Sequence, residues 1–285
     1  MKILVIGSGG MLGHMLTYYL SSRNFDVTDV SFSRRCRDES ILIDVLSEDF
    51  DIYIKSNYFD VIINCAAILP NNCLKDPINA IKINAVFPNH LNTIVNPRTH
   101  LIQIGTGGVY KGDHAPYHED SEQDSTTFYG KTKSLGEIKG ENVLLIRSDV
   151  VGPDMSRDSR GIFNWILMSE NSITGYAHMS INGVTSLEYA KFIEQAINER
   201  YVGSYNLHTD GSISKANFIK LVLSVFQKKD TVVTDVYKPV QNNSLSSLRS
   251  DIKYKRKSYE TQLLELKEWM IANINLYPHY EHLLK

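Results

Sequence analysis

The chain opens with an apolar run, Ile3-Leu4-Val5-Ile6, that passes directly into Gly7-Ser8-Gly9-Gly10-Met11-Leu12-Gly13 and then into a stretch with Leu16 and Leu20. Few folds accommodate that order. A buried strand, a glycine turn and a helix in immediate succession begin a βαβ unit. The helix start then aims its free N–H groups and the positive end of its dipole at an anion, normally a pyrophosphate. The fingerprint G-x-G-x-x-G fits incompletely, because its third glycine would fall on Leu12, whereas G-x-x-G-x-x-G fits through Gly7, Gly10 and Gly13. Met11 and Leu12 count with these glycines as cofactor-binding positions. The bland alternative is a tight turn and nothing more.

Beyond this loop, strand-like runs at 2–6, 26–32, 41–44, 60–65, 99–104 and 142–147 alternate with helical stretches near 11–22, 46–56, 77–95 and 127–140. The alternation predicts an α/β protein with a Rossmann-type, doubly wound parallel sheet covered on both faces. From about Gly152 the pattern loosens, with helices expected near 161–169, 186–199, 214–227 and 260–273. With 285 residues, 42% of them hydrophobic, and a net charge of −2, the chain has an ample core and no basic block to meet a nucleic acid. No apolar run approaches the 18 or so residues of a membrane span, and the one at the start is too short for a signal peptide, so a cytoplasmic protein is expected. Cys36, Cys65 and Cys73 are odd in number and lack zinc-site spacing, which makes reduced thiols the default, with Cys65 in the core.

Tyr129-Gly130-Lys131-Thr132-Lys133 places a phenol and an ammonium four residues apart, on one face of a helix. A nearby cation favours the phenolate, so Lys133 is expected to draw Tyr129 towards a pKa at which it exchanges protons. Alone, such a pair is usually a solvated helix face.

In order and spacing, several landmarks together resemble the extended short-chain dehydrogenases/reductases, and within them the nucleotide-sugar reductases similar to dTDP-4-dehydrorhamnose reductase. They are the Gly7/Gly10/Gly13 loop, Asn64-Cys65-Ala66-Ala67, Ala80 to Asn84, Gly105-Thr106-Gly107-Gly108-Val109-Tyr110, Tyr129 to Lys133 with Gly136-Glu137, and Arg147 with Gly152-Pro153. Fainter ones follow at Asn182 to Thr185, Tyr205 to His208 and Ile213 to Lys215. The resemblance implies an NADP(H)-binding Rossmann domain over residues 1–153 and, over 154–285, mainly a smaller substrate-binding lobe with some segments returning to the first domain. It also implies a nucleotide-diphosphate sugar as substrate and homodimer contacts through helices of the nucleotide domain.

The second strand selects the cofactor. A carboxylate at its tip would accept hydrogen bonds from the ribose of NAD, whereas a 2′-phosphate needs cations. The chain offers Ser33, Arg34 and Arg35 and no carboxylate there, so NADP(H) is expected, with Arg34 or Arg35 forking onto the phosphate; a solvated basic loop is the alternative. By resemblance, Asp44 with Val45 faces the adenine, and Ala66 and Ala67 let the dinucleotide lie against the sheet.

Thr106 follows the strand Leu101-Ile102-Gln103-Ile104, whose carboxyl end should open at the ligand crevice. Its hydroxyl would hold a substrate oxygen while Tyr129, as general acid, delivers a proton and Lys133 holds both the tyrosine and the nicotinamide ribose. The related 4,6-dehydratases carry Asp-Glu just after this threonine, GDP-fucose synthase carries a cysteine, and dTDP-4-dehydrorhamnose reductases usually carry Asp. This chain has Gly107 and Gly108. The expectation is therefore plain ketone reduction with no further acid/base group beside Thr106, and the resemblance implies a 4-keto-6-deoxysugar as the substrate and surface polysaccharide synthesis as the setting. Two alternatives stand: a 4-epimerase, and a non-catalytic NADP-binding regulatory subunit like the reductase-like partner of methionine adenosyltransferase. No metal is expected. His114 and His118 flank Pro116 and read as loop residues, and His14 reads as a helix-surface residue.

Overall fold

Along β1 (Lys2–Ile6) every residue after Lys2 is buried, Ile3 and Val5 against one core and Leu4 and Ile6 against another, as a strand covered on both faces requires. The computed structural model describes residues 1–157 and 161–284. In it β2 (Asp26–Ser31), β3 (Ile41–Leu42), β4 (Val61–Asn64), β5 (His100–Ile104) and β6 (Val143–Arg147) complete the first half. Eight further strands follow among the described residues: β7 (Val150–Val151), β8 (Asn171–Tyr176), β9 (Met179–Ile181), β10 (Val184–Thr185), β11 (Gly203–Asn206), β12 (Ile213–Ser214), β13 (Thr231–Val236) and β14 (Gln241–Asn242).

The main sheet has seven strands in the order β11-β6-β5-β4-β1-β2-β3, and all its pairings are parallel. The order reverses between β1 and β4, which opens a crevice at the carboxyl ends of these two strands. The chain returns to this sheet as β11, beside β6. The small pairs β7 with β10, β8 with β13, and β9 with β12 and β14 lie outside it, and the sequence pattern did not foretell them.

The helices are α1 (Met11–Ser22), α2 (Glu48–Ser56), α3 (Pro70–Cys73), α4 (Pro77–Ile81), α5 (Phe87–Ile94), α6 (Phe128–Leu135), α7 (Ile162–Met168), α8 (Ser186–Asn198), α9 (Lys215–Val225), α10 (Tyr259–Ala272) and α11 (Glu281–Leu284). Phe50 of α2 and Phe87 and Leu91 of α5 fill one face of the sheet, while Leu16 of α1, Ile193 of α8 and Leu266 of α10 belong to the core on the other. The helix expected over 77–95 contains a π turn, Lys82–Val86, between α4 and α5. The helix expected over 127–140 stops at Leu135, and the following Gly136 passes so close to Asn84 that a Cβ there would lie 1.8 Å from its carbonyl oxygen. The third strand is likewise shorter than the expected 41–44.

Candidate active site

The glycine loop leaves β1 through Gly7, whose φ of +85° favours glycine and whose hypothetical Cβ would lie 2.9 Å from the Ala66 amide nitrogen. Gly13 sits in the first turn of α1, where a Cβ would lie 2.2 Å from the Gly7 carbonyl oxygen. No side chain fits in either place. The backbone at the start of α1 therefore lies against the ends of β1 and β4 as a cradle for an anion.

Two adjoining cavities meet at this cradle. One, of about 610 Å³, is lined by Gly7, Gly10, Ser33, Arg34, Asp44, Val45, Ala66 and Ala67 of the expected residues. The other, of about 360 Å³, shares Gly7, Gly10 and Ala67 and adds Met11, Leu12, Gly13, Thr106, Tyr129 and Lys133. Arg35 lines neither; it turns back to the carbonyls of Asp38 and Ser40. Arg34 reaches Asp154 at 3.0 Å and the Gly9 carbonyl at 3.1 Å, and it alone of the two arginines borders the crevice. Arg37 points inward to the buried Asp29 at 2.7 Å.

At the reacting end, Thr106 caps the short turn Gly107–Val109 by accepting from the Gly108 N–H at 3.0 Å. Its neighbour Tyr129 lies in the first turn of α6, whose N-cap Thr127 accepts from Gly130. Burial pushes the phenol above its ordinary value, Thr106 opposes this through a hydrogen bond, and Asp149 raises it further. The expected lowering by Lys133 is absent. Instead the Lys133 ammonium donates to the Ile104 carbonyl at 2.9 Å, and burial takes it down to about 8. The shared helix face brings both groups into one cleft, while desolvation outweighs their mutual influence.

Asn84 ties the parts together. Its side chain accepts from the Ile68 N–H at 2.8 Å and donates to the Ile68 carbonyl at 2.9 Å and to the Thr132 hydroxyl at 3.1 Å. The π turn thus holds the segment after β4 against α6, an arrangement often found at functional sites. Arg147 forms a two-pronged ion pair with Glu137, both contacts at 2.7 Å, and joins Tyr110 at 3.2 Å, which explains three further landmarks as supports of the cleft wall.

Two further expectations need correction. His14 is not a surface residue: it is buried, donates from Nδ1 to the Gly10 carbonyl at 3.0 Å and accepts at Nε2 from the Tyr277 hydroxyl at 2.9 Å, and burial takes it down to about 4. It fastens the C-terminal segment to the start of α1. Nor is Thr106 without a neighbouring acid, since Asp149, just past β6, receives its hydroxyl hydrogen at 3.4 Å. Cys65 lines both cavities in addition to touching the core, and burial pushes its thiol up to about 12, which keeps it unreactive. Among the described residues no group of three or more His, Cys, Asp or Glu side chains is placed to hold a metal, and no helix is long and apolar enough to cross a membrane.

A parallel sheet with its switch point at a glycine cradle, and a threonine, tyrosine and lysine gathered at its carboxyl edge, define the chain as an extended short-chain dehydrogenase/reductase. It belongs to the family described as RmlD substrate binding domain, which it matches over residues 1–269. It is 28% identical over 141 residues to the spore coat polysaccharide biosynthesis protein SpsK of Bacillus subtilis, a match covering 48% of this chain and 47% of SpsK. To dTDP-4-dehydrorhamnose reductase of Streptomyces griseus it is 30% identical over 138 residues, 47% of this chain and 43% of that protein. The chain thus spans about half the length of the curated relatives it matches. Its fold is that of the dTDP-4-dehydrorhamnose reductase of Bacillus anthracis solved in complex with NADP, with a TM-score of 0.79 at 19% identity over 93% of this chain and 98% of that one.

Proposed function

We propose that this protein uses NADPH to reduce a nucleotide-linked 4-keto-6-deoxysugar, serving the synthesis of a surface polysaccharide. The observation that carries this reading is the convergence of Thr106, Tyr129 and Lys133 on one cleft that continues into the glycine cradle. The relatives named for dTDP-4-dehydrorhamnose reduction and spore coat polysaccharide biosynthesis support the substrate class. NADP(H) fits the crevice: Gly7 and Gly13 leave the backbone open to a pyrophosphate, Arg34 borders the end where a 2′-phosphate would lie, and no carboxylate occupies the β2 tip. When bound, it supplies the hydride. The chain's own groups do the rest: Thr106 orients the carbonyl oxygen, Tyr129 gives it a proton, and Lys133, held by the Ile104 carbonyl, supplies positive charge beside the reacting groups.

In this reading residues 1–153 hold the cofactor and 154–285 mainly hold the sugar nucleotide, with β11 as a return to the first part. The protein works in the cytoplasm as a homodimer; the exposed Leu74, Ile78, Val86 and Leu135, on or beside α3 to α6, support a partner face on those helices. The test is a panel of nucleotide-linked 4-keto-sugars assayed for NADPH consumption. Turnover of one member is expected. Binding of NADPH without turnover of any would favour a regulatory subunit, and interconversion of 4-epimers with retained NAD would favour an epimerase.

A further inference from the structure

The Thr106 hydroxyl has one hydrogen and two lone pairs to place. The Gly108 N–H takes one lone pair at 3.0 Å, and the hydrogen is directed to Asp149 Oδ1 at 3.4 Å. A Cβ on Gly107 would lie 3.3 Å from that same oxygen, so the glycine leaves the carboxyl its place beside Thr106. Asp149 stands on the cleft wall with Tyr129 and Lys133. The groups that face it come from several elements: Thr106 and the Gly107 N–H after β5, Lys215 at the start of α9, Tyr129 of α6 and Tyr259 of α10.

We propose that Asp149 is a positioning residue that decides where the Thr106 hydrogen points, an inference that rests on reading the cleft as that of a ketone reductase. As a carboxylate, Asp149 draws the hydrogen to itself and away from Tyr129 and the substrate oxygen. As a neutral acid it donates its own proton into the second lone pair of Thr106, in place of the Tyr129 hydroxyl, and the threonine hydrogen turns to the carbonyl oxygen beside the Tyr129 proton. The only proton gained or lost by Asp149 is exchanged with solvent. Burial is the largest influence on this carboxyl and raises its pKa, whereas Lys215, Thr106 and the Gly107 N–H favour the charged form. Burial thus favours the neutral acid.

The test uses the full chain and two readouts. In protein labelled at the tyrosine ring ζ-carbon, with the Tyr129 signal assigned by its loss in Tyr129→Phe, the signal should move with pH as Asp149 ionises. It should stay flat over that interval in Asp149→Asn, whose amide donates to Thr106 at any pH. A flat wild-type signal, or one that still moves in the variant, would overturn the proposal. In turnover, wild-type kcat should fall by about 10²-fold as pH rises through the same interval, the scale of losing one donor to a developing oxyanion. Asp149→Asn should keep its kcat there with KM little changed, and a variant that retains the wild-type profile would also overturn the role. If the wild type reduces no keto-sugar at all, the proposed function fails, and the ring-carbon readout still judges Asp149.

Discussion

Lys133 Nζ donates to the Ile104 carbonyl oxygen at 2.9 Å, which ties the helix bearing Tyr129 to the end of the strand that leads into Thr106. The contact locates the ammonium, and burial sets its charge, with a pKa near 8. Below about 8 the lysine is protonated and above it is neutral, so any rate that depends on its charge falls as pH rises through that value. The profile of kcat against pH should show this basic limb. Lys133→Met should remove the limb and lower kcat by about 10²-fold or more. A limb near 8 that persists in the variant, apart from the fall that follows Asp149, would assign it to another group.

The glycine cradle separates folding from binding. Gly13→Ala forces a Cβ to 2.2 Å from the Gly7 carbonyl, a backbone atom that cannot give way, so the start of α1 must shift at a cost of about 1–3 kcal/mol. On Gly10 a Cβ would lie 3.5 Å from that carbonyl, an ordinary contact, and its backbone is extended with φ −92°. Gly10→Ala should therefore melt within about 0.5 kcal/mol of the wild type. Its methyl would stand in the phosphate's approach, and NADPH affinity should drop about tenfold or more, a difference of about 1.4 kcal/mol. Thermal melts and fluorescence titrations of both variants distinguish the two effects.

Tyr129→Phe removes only a hydroxyl. The ring keeps its place in α6, so the variant should fold and bind NADPH as the wild type does, while turnover falls by about 10²–10⁴. Reduction of the identified ketone at the wild-type rate would show that another group supplies the proton.

What the sequence made legible was local. The β1 turn, the i,i+4 pair of Tyr129 and Lys133, and Thr106 at a strand end each lie within a few residues, and all meet at the carboxyl edge of the sheet. Asp149 was missed because the landmark that brackets it, Arg147 with Gly152-Pro153, gives no role to the residues in between; it reaches Thr106 only through the parallel pairing of β5 with β6, which aligns Ile104 with Ile146. The usable signal was that β6 ends at the same edge as β5, so polar residues just past it face the same cleft. The β8 and β13 pair joins segments far apart in the chain, and its pairing has no local signature. His14 was misplaced because its burial is supplied by Tyr277 from the opposite end of the chain.

The two arginines at the β2 tip, equivalent in sequence, are unequal in the fold. Arg34 borders the crevice but is engaged by Asp154 at 3.0 Å, whereas Arg35 is spent on the Asp38 and Ser40 carbonyls. Charge-assisted hydrogen bonds contribute about 1.5–3 kcal/mol. Arg34→Ala should therefore reduce the preference for NADPH over NADH by about tenfold or more, with Arg35→Ala leaving it nearly unchanged. Asp154 competes with a phosphate for the same guanidinium, so Asp154→Asn should release Arg34 and tighten NADPH more than NADH. Dissociation constants for both cofactors with the three variants decide the matter. Equal loss from Arg34→Ala and Arg35→Ala would mean that the loop rearranges when the dinucleotide binds.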